Sequence, residues 1–79
     1  MSISELKRDA GAIKRAFKIM PDGICKDVLF MRNIVGMSWE RIGKTVRYTA
    51  EAARLVYARA LNQAARLLEE KEASGGAAA

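Results

Sequence analysis

The sequence predicts an all-α fold: a small helical bundle of about four helices that contains a helix-turn-helix. Three observations lead there. Apolar residues recur in steps of three and four along most of the chain. Ser, Thr and Asp stand where helices would start, and Gly or Pro where they would stop. Residues 37–61, MSWERIGKTVRYTAEAARLVYARAL, read as a short helix, a tight turn and a longer helix. With 79 residues the chain makes one domain. A domain of that size buries only about 60% of its unfolded surface and has no room for a deep substrate cleft.

The first helix starts at Ser2 or Ser4, where Ser2-Ile3-Ser4-Glu5 forms a capping-box pattern with Glu5 able to reach back to the cap amide. Ile3, Leu6, Ala10, Ile13, Phe17 and Met20 then make one continuous apolar stripe. Lys7, Arg8, Lys14, Arg15 and Lys18 occupy its other faces, and Gly11 weakens the middle by roughly 1 kcal/mol. Pro21 ends this helix, and Asp22 caps the second, which runs from about Gly23 to Val35. Ile24, Val28, Met31 and Val35 lie on one side, and Leu29, Phe30 and Ile34 widen that face, so this helix is expected to be the most buried. Gly36 suits a left-handed terminator.

Ser38 caps the third helix, with Glu40 in its first turn. Arg47-Tyr48 is the turn, and Thr49 caps the fourth helix, which runs without a breaker to Lys71. Ile42, Val46, Ala53 and Val56 form a core shared by the third and fourth helices, and Tyr48 is expected to fix the angle between them. Gly43 sits where the two must touch, and its missing side chain permits a close backbone approach. Val56, Ala60, Leu61, Ala64, Leu67 and Leu68 carry the apolar face to the far end. The reading is therefore one domain over 1–72 and a flexible tail over 73–79.

Composition narrows the function. The formal charge of +5 favours a polyanionic partner. One cysteine, Cys25, rules out an internal disulfide, and the absence of histidine removes a zinc-finger ligand set. Cys25 reads as a small hydrophobe on a helix. No apolar run approaches the length of a membrane span, and the N-terminus lacks a signal-peptide core, so a cytoplasmic protein is expected. There is no paired carboxylate in a pocket, no glycine-rich phosphate loop and no nucleophile beside a base, which argues against an enzyme, a cofactor or a metal site.

From Val28 onwards the chain resembles region 4, the promoter-recognising C-terminal domain of primary bacterial sigma factors. Val28-Leu29-Phe30-Met31-Arg32 resembles that domain's "VLxMR" helix. After a shortened connection, Ser38-Trp39-Glu40-Arg41-Ile42-Gly43-Lys44 resembles its "TLEEIGK". Thr49-Ala50-Glu51 and Arg54 follow without a gap, and Ala58-Arg59-Ala60-Leu61 resembles "AKAL". Small phage and prophage transcription regulators with an isolated sigma-like domain share a "G-hydrophobic-SW-E-x-I" opening, which Gly36-Met37-Ser38-Trp39-Glu40-Arg41-Ile42 resembles, and the basic-Ala-Leu ending of Arg59-Ala60-Leu61. The resemblance implies a helix-turn-helix that binds double-stranded DNA. The chain departs from the family in its reading helix, where Ala50-Glu51-Ala52-Ala53-Arg54-Leu55 stands in place of a stretch rich in Arg, Glu and Gln. Sigma-type promoter specificity is therefore not implied.

Within that frame Arg54 is the candidate to fork onto guanine O6 and N7, and Glu51 to accept from cytosine N4 or to serve the helix dipole. Ala50 and Leu55 are placed to touch thymine methyls or to make a protein contact. Lys44, Arg47 and Arg59 are phosphate-contact candidates, as are the helix starts at Ser38 and Thr49. Trp39 and Tyr57 are spaced for packing rather than for base stacking, and Met20, Met31 and Met37 are core filler.

The expected function is sequence-specific or backbone-directed binding of double-stranded DNA as a small phage-type transcription regulator. A lone module makes few contacts, so a homo-oligomer or a second protein is expected to supply affinity, through the stripes of the first helix and the distal fourth. Two rivals stand beside this reading. One is a small terminase-like DNA-packaging subunit. The other is a protein-interaction module whose alanine-rich helix contacts RNA polymerase or another regulator.

Overall fold

The computed structural model describes residues 2–78, and side chains for 2–73. The elements are α1 (Ile3–Arg8), α2 (Ala10–Ile19), α3 (Ile24–Leu29), a π-helical turn (Phe30–Val35), α4 (Trp39–Val46) and α5 (Ala50–Ala78). The fold is all-α, and there is no strand among the described residues.

The first expected helix is two. Ser2 caps α1 by accepting from the Glu5 amide at 3.2 Å, while the Glu5 carboxylate accepts from the Ser2 hydroxyl instead of reaching the cap amide. At Asp9 the backbone turns extended (φ −112°, ψ 98°), and its carboxylate accepts from the Ala12 amide at 3.1 Å. An aspartate can satisfy an orphan amide only by leaving the helix itself, and here capping wins over continuation. The break changes the register of the stripe. Leu6, Ile13 and Met20 are buried as expected, but Ala12 and Ala16 join them in place of exposed Ala10 and half-buried Phe17.

α2 stops at Ile19, and Met20 adopts the extended backbone that a following proline enforces. The N-cap of α3 is Gly23, without a side-chain bond; Asp22, expected as the cap, instead meets the Lys26 ammonium at 3.4 Å. The second expected helix does reach Val35, but its last six residues wind as a π turn that ends on left-handed Gly36 (φ 84°). Its burial is less than expected. Val28 and Leu29 are fully buried, whereas Phe30, Ile34 and Val35 are 39%, 41% and 56% exposed.

The central element is α5. Its distal half packs Ala60, Leu61, Ala64, Ala65 and Leu68 against Leu6, Ala12, Ile13, Ala16 and Met20 of the α1–α2 arm, together with Leu29. Its proximal half packs Ala53 and Val56 against Val28 and Ile42. Cys25 and Tyr57 touch both clusters. The two stripes foreseen as oligomer surfaces therefore cover one another. α5 also continues past Lys71 to Ala78. Residues 73–78 of the expected flexible tail are thus helical in their backbone, while Ala79 and the side chains from Ser74 onward lie outside the described residues.

Candidate nucleic-acid interface

Ser38 opens α4 by accepting from the Arg41 amide at 3.2 Å, and Thr49 opens α5 by accepting from the Ala52 amide at 3.0 Å. Between them Arg47 takes the left-handed conformation (φ 64°) that stops α4. Gly43 and Ile42 are buried beneath the turn. A Cβ on Gly43 would lie 2.6 Å from the Tyr48 carbonyl oxygen and 3.1 Å from the Ala50 nitrogen. The close approach foreseen from the sequence is therefore made by the turn backbone rather than by the body of α5. Tyr48 sets the crossing through its main chain. Its amide donates to the Gly43 carbonyl at 2.7 Å, while the residue is 45% exposed. Ile42, Ala53 and Val56 are buried in the shared core as expected, and Val46 is half-buried at its edge.

With Ala53, Val56 and Ala60 turned inward, the opposite face of α5 presents Glu51, Arg54, Leu55, Ala58 and Arg59. Leu55 is the most exposed of the large apolar residues at 63%. Ser38, Lys44, Arg47 and Thr49 are exposed too, and Ala50 is half-buried. All the residues singled out from the sequence thus lie on α4, the turn and the first part of α5. Among the described residues the ion pairs are Arg15–Glu72 and Lys26–Asp22, so Lys44, Arg47, Arg54 and Arg59 keep their charge for other company.

Four residues complete this corner that the sequence reading did not assign to the site: Arg32, Asn33, Arg41 and Ala58. Arg41 and Ala58 are exposed on α4 and α5 and could have been found by extending the helical faces. Arg32 could not. Its guanidinium donates to the Met37 carbonyl at 2.9 Å and lies 4.3 Å from the centre of the Trp39 ring. The Arg54 guanidinium is 5.9 Å from the same ring centre, within cation–π range. Tyr57 meets Trp39 edge-on, with ring centres 5.1 Å apart, and its hydroxyl donates to Asn33 at 2.6 Å. Trp39 and Tyr57 pack as expected, but the indole also gathers two cations.

At the other end of the molecule a shallow groove of about 380 Å³ lies between α2 and distal α5, lined by Arg15, Lys18, Leu68, Lys71 and Glu72. It holds no nucleophile–base pair. No group of three or more His, Cys, Asp or Glu residues suited to a metal ion occurs among the described residues. No described helix is long and apolar enough to cross a membrane. Comparison with family models, curated proteins and solved structures finds no match to this chain.

Proposed function

We propose that the chain binds double-stranded DNA through α4 and α5 as a small, sigma region 4-like transcription regulator of the phage type, with α5 in the major groove. One observation carries this reading. The outer face of the first part of α5 is exposed beside two capped helix starts, and Lys44, Arg47, Arg54 and Arg59 around it have no carboxylate partner among the described residues. Side chains of such a face reach base edges, while cations at the turn and along the flank meet phosphates. Affinity beyond one module comes from a second copy or a second protein. Outside the turn and α5, Phe30, Ile34 and Val35 are exposed apolar residues available for that once the two longer stripes have covered each other.

The test is titration of labelled duplexes at low and raised salt with the intact chain, Lys44→Ala and Arg47→Ala. Each variant is expected to weaken all duplexes alike and to flatten the plot of log affinity against log salt by about 0.9. Binding that ignores both substitutions together would reject the interface.

Exposed Leu55 favours a second reading, in which α5 docks on RNA polymerase or another regulator. In that case Leu55→Gln abolishes the protein contact and leaves duplex affinity as it was.

A further inference from the structure

The corner between the π turn, α4 and α5 concentrates positive charge on a single aromatic ring. Arg32 and Arg54 lie 4.3 and 5.9 Å from the centre of Trp39, so their guanidinium carbons are no further apart than those distances together allow. Neither forms an ion pair among the described residues. Two like charges held within about 10 Å of each other with no carboxylate between them repel weakly, and an indole face offsets part of that repulsion. An anion between them would turn the repulsion into attraction. Arg32 is anchored for such a task, because one guanidinium nitrogen is committed to the Met37 carbonyl while the fold holds the side chain only partly exposed. The ring beneath is anchored as well, edge-on to Tyr57, whose hydroxyl is tied to Asn33 beside Arg32.

The direction of Arg54 is the second observation. Its guanidinium is held 5.9 Å from the centre of the Trp39 ring at the start of α4, whereas Leu55 next to it in sequence is the most exposed apolar residue of the α5 face. In a helix-turn-helix the first helix crosses the phosphate backbone, and base edges meet the side chains that stand straight out of the second. We infer that Arg32 and Arg54, gathered on Trp39, form one clamp for a single DNA backbone phosphate, and that Arg54 therefore positions the duplex rather than reading a base. A phosphodiester offers two free oxygens, one for each guanidinium, in charge-assisted hydrogen bonds. Trp39 is the positioning residue. Base discrimination then falls to Glu51, Leu55 and Ala58. This inference rests on the DNA-binding reading above.

The experiment uses the intact chain and two labelled duplexes of unrelated sequence, at low and raised salt, and follows duplex anisotropy together with the emission of Trp39, the chain's one tryptophan. The chains compared are the wild type, Arg32→Ala, Arg54→Ala and the double variant, each checked for retained helix by circular dichroism. Arg32→Lys keeps a donor for Met37 and serves if Arg32→Ala fails to fold; it is expected to lose about threefold, as a point charge replacing a fork. Duplex binding is expected to shift the Trp39 emission. Each alanine variant should weaken both duplexes by the same factor, about tenfold, the scale of losing one hydrogen bond to a charged group. The double variant should lose far less than the product of the two, because both guanidinium groups serve one phosphate.

A change in the ratio of the two affinities with Arg54→Ala alone would make Arg54 a base reader and overturn the clamp. Wild-type-like binding by both alanine variants, or an emission unmoved by bound duplex, would overturn the clamp and leave the DNA reading standing. A wild type that binds neither duplex would remove both.

Discussion

At Gly43 a hydrogen does what no side chain can, because a methyl group there would meet the Tyr48 carbonyl at 2.6 Å. The obstacle is backbone and cannot swing aside. Gly43→Ala is expected to cost about 2 kcal/mol or more, read as a lower denaturant midpoint with an unchanged slope. Duplex binding should fall with it, since the turn sets how α5 leaves α4. Gly43 was legible in the sequence because its constraint is local: a glycine buried five residues before a turn residue. The same holds for the caps at Ser38 and Thr49, each of which bonds an amide three residues ahead. Arg32 was not legible. Its contact with Trp39 crosses left-handed Gly36 and depends on how the π turn is wound, and no spacing rule links a π-turn residue to the opening of the next helix.

Among the elements, the break at Asp9 shows what a periodic stripe cannot decide. Steps of three and four from Ile3 to Met20 fit one helix, and they fit two helices that meet at a cap nearly as well. Asp9 chooses the second arrangement by bonding the Ala12 amide, and burial then moves to Ala12 and Ala16. Asp9→Ala is expected to lower stability by about 1 kcal/mol, the usual worth of a cap, in a thermal or chemical melt. A gain in helix content by circular dichroism without loss of stability would mean that α1 and α2 fuse at no cost. The π turn escaped prediction for a related reason. Hydrophobic residues at Phe30, Ile34 and Val35 suggest a buried helix, yet the wide turn leaves all three exposed.

For the molecule as a whole, one long helix serves two cores. The α1–α2 arm leans on the distal half of α5, and α3 with α4 on the proximal half. The proposed DNA-binding face borders only the proximal core. Fully buried Leu68 belongs to the distal cluster, and Leu68→Ala is expected to cost about 2–4 kcal/mol. Below its melting point the variant should still bind duplex as the wild type does, since the α4–α5 crossing relies on Val28, Ile42, Ala53 and Val56. A parallel loss of affinity in fully folded Leu68→Ala would show that the arm shapes the interface. The helical class and the apolar face that runs the length of α5 follow from periodicity. The pairing of the two outer stripes with each other does not, because a stripe records only that it is covered and not what covers it.

The π turn has one more consequence. A π turn accommodates one residue more than an α turn at the same place. Deleting Met31 would let the segment wind on as ordinary α-helix with the faces before and after it nearly kept, while Arg32, moved up into the place of Met31, would turn by up to about 100°. Arg32 would then leave the indole, while nearly all of the composition, charge and hydrophobic pattern stayed as they are. If the proposed phosphate clamp operates, a single codon's worth of length between Phe30 and Val35 decides whether the corner can grip a polyanion.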